Sequence, residues 1–332
     1  MFRKYLMLAL IVGLFFAIGC SDDDNNPVDP KKTDEFALVE AAGTAYFSTY
    51  VTTSGASPNI TTGALFTLLQ DGDATNDPVI VDYRAAADYA SGHIRGAINI
   101  TLATLVDKLN DNTIPKTKKI VNVCYTGQNS SYATAFMNLL GYDAQSLMFG
   151  MCGVSTTAGV NKTDLWINQI AADEFASQLT ATVSTPSTVV PFPTLSTGKK
   201  SAEEIMKARF PLGISSWSIT AADVFANPSN YFIVNYWPNA EYLNPGHIPG
   251  AFCFEPKVSL GKDQMLKYLP TDKTIVIYCY TGQTSAQLAC YLQMLGYNAK
   301  SLMFGQNGFA YNTLTKSKYT VPTTDYSAII VK

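Results

Sequence analysis

Two segments of the chain share the same order of apolar and polar positions. The first, KIVNVCYTGQNSSYATAFMNLLGY, begins at Lys119, and the second, KTIVIYCYTGQTSAQLACYLQMLGY, begins at Lys273. Each opens with a short β-branched apolar run, continues through a cysteine and a glycine-containing turn, and then places apolar residues at helical spacing. The pattern predicts a buried strand, a loop and a helix in each segment.

The repetition continues on both sides of these segments. Upstream, DPVIVDYRAAADYASGHIRGAINI precedes the first cysteine and NYFIVNYWPNAEYLNPGHIPGAFCF precedes the second. Downstream, SLMFG occurs at 146–150 and again at 301–305. Since matching features stay about 155 residues apart, the chain carries a duplicated domain rather than a short solenoid repeat.

Short apolar strands alternate with helical segments in both copies, which is typical of a parallel sheet with helices on both faces. We therefore predict an α/β fold with two tandem domains, a first copy at 36–175 and a second copy at 201–332. The segment 176–200 is rich in Ser, Thr and Pro and is predicted to be a linker. With 332 residues, 47% of them hydrophobic and 15% charged, the chain can bury two cores.

The first residues, MFRKYLMLALIVGLFFAIGC, have the layout of a secretory signal peptide, with two basic residues before an apolar stretch that ends in small residues. The letters AIGC resemble the lipobox of bacterial lipoproteins. We predict a signal peptide over 1–19, lipidation of Cys20 and an acidic disordered tether over 20–35. The protein is then expected in a bacterial cell envelope, lipid-anchored at the outer membrane and facing the periplasm or the surface. The alternative is an ordinary cleaved signal with an incidental cysteine.

Charge and cysteine content narrow the classes of function. The net charge is -3 and the mature chain has no basic block, so nucleic acid is excluded as a partner. Five cysteines besides Cys20 leave at least one thiol outside any intramolecular disulfide. No C-x-x-C occurs and only two histidines are present, so neither a thioredoxin-type dithiol nor a His-based metal site is supported. We expect no metal and no cofactor.

Cys124 and Cys279 each follow a predicted parallel strand, at the sheet edge where ligands usually bind. Successive backbone N–H groups of such a loop, with the positive end of the next helix, can form a cradle for an anion. A thiol held there would be a better nucleophile. Retention of Cys-Tyr-Thr-Gly-Gln in two diverged copies favours an active thiol over a buried structural one.

Three ordered motifs of the first half, Asp-x-Arg, Gly-His-Ile-x-Gly-Ala and the cysteine loop, resemble those of the rhodanese (thiosulfate sulfurtransferase-like) domain, and the second half, which keeps the last two motifs, resembles it again. In that family the loop cysteine takes sulfane sulfur from a donor such as thiosulfate, stores it as a persulfide and passes it to cyanide or another thiophile, without a cofactor. The resemblance implies a sulfurtransferase with Cys124 and Cys279 as catalytic residues. Its partners would be a small sulfur-containing anion and a thiol or cyanide acceptor, and no protein partner is indicated.

The resemblance also implies two substrate-binding loops. Their members are Tyr125, Thr126, Gly127, Gln128, Asn129 and Ser130 in the first copy, and Tyr280, Thr281, Gly282, Gln283, Thr284 and Ser285 in the second. The glycines would allow left-handed or close backbone geometry, with plain turn glycines as the alternative. The glutamines are expected at the pocket mouth, with solvent-facing polarity as the alternative.

The two copies depart from the family pattern in different ways. Many members that use thiosulfate carry Arg or Lys in or beside the loop, whereas these loops have no basic residue, so thiosulfate specificity is not implied. The first copy keeps Asp82 and Arg84, which in the family support the loop, and the second has Asn235 and Trp237 instead. We expect both copies to be active.

The remaining histidines and cysteines have structural interpretations. His93 and His247 lie in the Gly-His-Ile turn, which favours a structural role over a catalytic base. Cys152 follows SLMFG and could resolve a Cys124 persulfide as a disulfide, with an inert buried thiol as the alternative. The other two cysteines, Cys253 and Cys290, are predicted to lie in the core.

Three other functions compete with sulfur transfer. A phosphatase or arsenate reductase needs Cys-x5-Arg to clamp an oxyanion, but the arginine position is occupied by Ser130 and Ser285, so this function is poorly supported. The second is a non-catalytic surface module that binds a protein or carries sulfur without turnover, and persulfide formation on Cys124 or Cys279 would distinguish the enzyme from it. A cysteine redox sensor would form disulfides instead.

Overall fold

Each copy of the duplicated segment folds around a parallel sheet in the computed structural model, which describes residues 33–154, 164–170 and 173–332. The helices and strands up to residue 170 are α1 (Glu35–Thr49), β1 (Asn59–Ile60), α2 (Thr62–Gln70), β2 (Val79–Asp82), α3 (Ala86–Ser91), β3 (His93–Ile94), β4 (Ile98–Asn99), α4 (Leu105–Asn110), β5 (Lys119–Val123), α5 (Gln128–Leu139), β6 (Asp143–Leu147) and α6 (Asp164–Ile170). Those after it are α7 (Ala202–Gly213), β7 (Ser218–Ile219), α8 (Ala221–Ala226), β8 (Tyr231–Asn235), α9 (Asn239–Leu243), β9 (Phe252–Cys253), β10 (Thr274–Tyr278), α10 (Gln283–Met294), β11 (Ala299–Leu302) and β12 (Ile330–Val331).

The two sheets have matching strand orders, β1-β6-β5-β2-β4 in the first copy and β7-β11-β10-β8-β9 in the second. All pairs within them are parallel. The central strands, β5 and β10, are apolar on both faces, because consecutive residues of a strand point to opposite sides. Ile120 and Val121 of β5, for example, pack into different core clusters. The predicted α/β fold with two tandem domains is confirmed.

One core cluster is shared between the copies and lies around the helices that follow the cysteines. Ile120 of the first sheet and Ile275 of the second belong to this same cluster. Helices α5 and α10 are buried along nearly their whole length, and Tyr132 of α5 donates a hydrogen bond to Gln293 of α10. The two cysteine-bearing units therefore pack directly against each other, and residues 34–332 form one compact unit.

Segments at the edges of the copies cross over to the opposite sheet. Strand β12 pairs antiparallel with β3 of the first copy, with Ile330 opposite Ile94. In the other direction, Phe175 donates a backbone hydrogen bond to Phe309, and Thr180 forms a bridge with His247. The segment predicted to be a linker, 176–200, therefore contacts the second copy through Thr180.

The end of the predicted tether is the part of the N-terminal predictions that overlaps the described residues. Helix α1 begins at Glu35 and Asp34 caps it by accepting from the backbone N–H of Ala37, so the tether predicted over 20–35 is too long by these two residues. The signal peptide, Cys20 and the tether up to residue 32 lie outside the described residues. Within the ranges that the structure describes, no helix is long and apolar enough to cross a membrane.

Candidate active site

Cys124 and Cys279 lie at equivalent places, directly after the central strands β5 and β10. Each is followed by a short loop that ends in a glycine with a left-handed conformation, Gly127 at φ +85° and Gly282 at φ +78°. These glycines are the N-caps of α5 and α10. A side chain at such a φ would be strained, so the glycine in the repeated phrase has a backbone reason.

The sulfur of each cysteine accepts hydrogen bonds from the start of the next helix. Cys124 Sγ lies 3.2 Å from the backbone nitrogen of Gly127 and 3.4 Å from that of Ser130. Cys279 Sγ lies 3.3 Å from the backbone nitrogen of Ser285. These N–H groups, at the positive end of a helix, would stabilise negative charge on the sulfur. Both cysteines are buried: 2% of the surface of Cys124 and 1% of that of Cys279 is exposed.

Two serines link each thiol to the neighbouring strand through hydrogen bonds. The Cys279 thiol donates to Ser285 Oγ at 3.4 Å, and Ser285 Oγ lies 2.8 Å from Ser301 Oγ, which donates to the carbonyl of Gly282. Ser130 and Ser146 are linked in the same way in the first copy, at 2.9 Å. Ser146 and Ser301 were not predicted as site residues. Each is the first residue of the repeated SLMFG, and this repetition could have indicated them.

The glycine of SLMFG packs against the backbone of the cysteine loop. Gly150 has φ +59°, and a Cβ added to it would lie 2.4 Å from the carbonyl oxygen of Cys124. For Gly305 the corresponding distance to the carbonyl of Cys279 is 2.3 Å. In the first copy Met151, which follows Gly150, donates its N–H to the Cys124 carbonyl at 2.9 Å. The SLMFG turn therefore forms the floor of each cysteine loop.

Asp82 and Arg84 form a buried ion pair that adjoins the Cys124 loop. Arg84 Nη2 lies 2.7 Å from Asp82 Oδ2, and both side chains are 1% exposed. The following residue, Ala85, donates its N–H to the hydroxyl of Tyr125 at 3.1 Å, and that hydroxyl donates to Asp88. Asp82 and Arg84 thus fix the segment that holds a residue of the loop.

The second copy replaces this ion pair by aromatic stacking. Trp237, at the position of Arg84, stacks on Tyr280 of the Cys279 loop with ring centroids 4.5 Å apart. Asn235 occupies the position of Asp82 and is fully buried. Lys316 lies 5.5 Å from the Tyr280 ring and pairs with Glu241. Arg84 beside the first loop and Lys316 beside the second are therefore each paired with a carboxylate.

Gln128 and Gln283 lie away from the pocket mouth where they were predicted. Each is 2% exposed, and each reaches into the other copy. Gln128 accepts from the backbone N–H of Phe304, and Gln283 accepts from that of Phe149. The prediction failed because one copy considered alone does not show what its loop faces.

The histidines bond to backbone carbonyls near their turns. His247 is fully buried, with Nδ1 2.8 Å from the carbonyl oxygen of Tyr242 and Nε2 3.0 Å from that of Thr182. His93 Nδ1 lies 3.0 Å from the carbonyl oxygen of Tyr89. These contacts fit the predicted structural role.

The other cysteines lie in three different environments. Cys152 is buried beside Trp166, Phe304 and Tyr319, while its N–H donates to the carbonyl of Tyr125. Burial raises the pKa of the Cys290 thiol, which lies within α10. Cys253 is only partly buried, contrary to its predicted core position, and burial raises its pKa to about 11. The cysteines in the described ranges form no disulfide.

An uncharged cleft opens beside the first SLMFG turn. It has a volume of about 530 Å³ and is lined by Met148, Phe149 and Gly153 of that turn, by the start of α2, and by residues 320–324 and Tyr326. Hydroxyl-bearing side chains are prominent in its wall, and Cys124 is not part of it.

Comparisons with known proteins match both cysteine-bearing units. The rhodanese-like domain family matches residues 65–154 and 225–311, just over half of the chain. A rhodanese-like domain protein from Staphylococcus aureus is 29% identical over 29% of this chain and 88% of its own, with a TM-score of 0.26. SSP1007 from Staphylococcus saprophyticus is 26% identical over 28% of this chain and 88% of its own, with a TM-score of 0.25. Thiosulfate sulfurtransferase from Pseudomonas aeruginosa is 16% identical over 87% of this chain and 49% of its own, with a TM-score of 0.30.

Proposed function

Because this chain belongs to the rhodanese-like domain family, we propose that it is a sulfurtransferase that carries sulfane sulfur as a persulfide on Cys124 and Cys279. The family indicates sulfurtransferase-type function at a general level. The two cysteines, the participation of both copies and the class of donor are our proposals.

One observation carries the proposal: in both copies a cysteine sulfur accepts backbone N–H bonds at the start of a buried helix. Gly127 and Ser130 donate to Cys124, and Ser285 donates to Cys279. Fixed N–H donors at the positive end of a helix stabilise negative charge on and next to this sulfur, so the cradle suits a thiolate, and the persulfide anion formed from it, better than a neutral thiol. Cys290 lies within α10 rather than in a loop before a helix, and burial raises the pKa of its thiol.

The reaction is a double displacement. The cysteine thiolate attacks the sulfane sulfur of the donor, a new S–S bond forms, and the donor's S–S bond breaks with its electron pair leaving on sulfite or a thiolate. An acceptor thiolate or cyanide then attacks the outer sulfur of the persulfide and restores the cysteine thiolate. The loop N–H groups would stabilise the charge on sulfur in both steps.

The charges around the loops favour a donor with less charge than thiosulfate. Neither loop contains a basic residue, Arg84 is paired with Asp82, and Lys316 is paired with Glu241. A dianion would therefore enter without a charge-assisted contact, and such a contact contributes about 1.5–3 kcal/mol. We expect sulfur loading from a monoanionic organic persulfide to be roughly 10- to 100-fold faster than from thiosulfate.

The test is the intact mass of the full-length protein after treatment with each donor. A gain of sulfur atoms that disappears on adding cyanide supports sulfur transfer, and the loading rates rank the donors. Protein alkylated in denaturant and then refolded serves as the control and should gain no sulfur. If no donor adds a cyanide-labile sulfur, the non-catalytic binding module is the better explanation.

The location of the protein is a separate proposal that rests on the N-terminal pattern alone. We propose that Cys20 is lipidated and holds the protein in the cell envelope. Cys20→Ser should then move the protein from the membrane fraction to the soluble fraction, and unchanged fractionation would contradict the anchor.

A further inference from the structure

We infer that Gln128 and Gln283 are positioning residues that act in trans, so that each glutamine holds the cysteine loop of the opposite copy. Two measurements test this inference, sulfur uptake and thiol alkylation, and only sulfur uptake rests on the proposed function. Thiol alkylation is independent of sulfur transfer.

Gln128 in the first copy holds the floor of the Cys279 loop. Its Oε1 accepts from the backbone N–H of Phe304 at 2.8 Å. Phe304 has a left-handed φ of +62°, which is unfavourable for a residue with a side chain. The next two residues, Gly305 and Gln306, contact the Cys279 carbonyl, through close packing and a 2.9 Å hydrogen bond respectively. Gln128 therefore stabilises the strained turn on which the Cys279 loop rests.

Gln283 in the second copy holds the Cys124 loop at two points. Its Oε1 accepts from the N–H of Phe149 at 3.2 Å, and its Nε2 donates to the carbonyl of Gly127 at 3.3 Å. Phe149 has a φ of +61° and starts the turn that supports Cys124. Gly127 donates its own N–H to the Cys124 sulfur. One amide side chain thus connects the floor of the loop with a residue of the sulfur cradle.

The glycine that precedes each glutamine makes room for the opposite one. A Cβ on Gly127 would lie 2.4 Å from Gln283 Nε2, and a Cβ on Gly282 would lie 2.5 Å from Gln128 Oε1. The Gly-Gln pair in the repeated phrase is therefore a reciprocal lock between the copies. The two locks are not identical, because Gln128 Nε2 donates to Thr126 Oγ1 of its own loop at 3.2 Å, whereas Gln283 Nε2 donates to Gly127 of the opposite copy.

The arrangement predicts a crossed effect of substitution in the full-length protein. Gln283→Ala should lower sulfur uptake at Cys124 about three- to tenfold, because its loop loses the bonds that fix it, while uptake at Cys279 stays within about twofold. Gln128→Ala should lower uptake at Cys279 by a similar factor, but it also removes a bond to Thr126 in the Cys124 loop, so Gln283→Ala gives the cleaner crossed effect. The loosened loop should also expose its thiol, so iodoacetamide should alkylate the same cysteine faster, again about three- to tenfold. Peptide mass spectrometry quantifies each cysteine separately.

Matched variants separate positioning from general damage. Gln264→Ala removes an exposed glutamine and should change neither cysteine. If an alanine variant does not fold, Gln→Met at the same position keeps the volume and removes the hydrogen bonds. In Gln283→Ala, an effect on Cys279, or an equal effect on both cysteines, would overturn the inference. Crossed alkylation without sulfur uptake by the wild-type protein would refute the proposed function and leave the inference standing.

Discussion

Replacing both Cys124 and Cys279 by serine is expected to abolish cyanide-labile sulfur uptake, a loss of at least about 10³-fold. A serine hydroxyl stays protonated at neutral pH and cannot store sulfur as a persulfide, whatever the N–H groups around it contribute. Each single substitution should remove one sulfur atom and leave the other, because the two loops have the same backbone geometry. Intact mass and peptide mapping after donor treatment measure both effects.

Cys290, in the helix that follows the Cys279 loop, supplies a control for these substitutions. Cys290 lies in α10 but is buried with a raised pKa, so it should form little thiolate. Cys290→Ala should therefore keep both sulfur atoms. Sulfur uptake that survives in the Cys124→Ser, Cys279→Ser double variant would show that another thiol is the carrier. Uptake lost entirely in one single variant would show that only that copy is active.

Replacing Arg84 by methionine should destabilise the protein by about 3–5 kcal/mol, because the change leaves the carboxylate of Asp82 buried without its partner. Both side chains of the pair are 1% exposed, so water cannot replace the guanidinium without opening the fold. Urea denaturation followed by circular dichroism gives the free energy of unfolding. Undiminished stability of Arg84→Met would contradict the importance of the pair.

The second copy offers a matched comparison for this substitution. There, Asn235 and Trp237 occupy the positions of Asp82 and Arg84 without a buried charge. Asp82→Asn combined with Arg84→Trp should therefore cost less than Arg84→Met alone, since no carboxylate is left unpaired. A double variant that is less stable than the single one would show that lost packing, rather than the unpaired charge, dominates.

The pattern of apolar positions was sufficient to predict the strand, loop and helix around each cysteine. Strand β5, the loop and helix α5 follow from a short β-branched run, a glycine and apolar residues at helical spacing. The left-handed Gly127 was predictable because the turn between a strand and a helix often needs such a residue. These features depend on neighbours in the sequence, so a single copy contains the signal for them.

What could not be predicted depends on how the copies pack against each other. Gln283 contacts Phe149 and Gly127, which are far from it in the sequence, and no local period marks that contact. The pairing of β12 with β3 has the same origin, because two-residue strands have no recognisable alternation. The repeated Gln did signal importance, but it did not indicate that the residue serves the opposite copy.

The crossing of β12 to β3 has a consequence for the order of folding during synthesis. Residues of the first copy leave the ribosome first, yet the strand that pairs with β3 lies at the very end of the second copy. At about 5–20 residues per second, the interval is on the order of tens of seconds. During that time Ile94, which is fully buried in the finished fold, would lie at an unpaired strand edge. A chain that is kept unfolded until synthesis is complete avoids this exposure, so the topology suits a protein that folds late and as a whole.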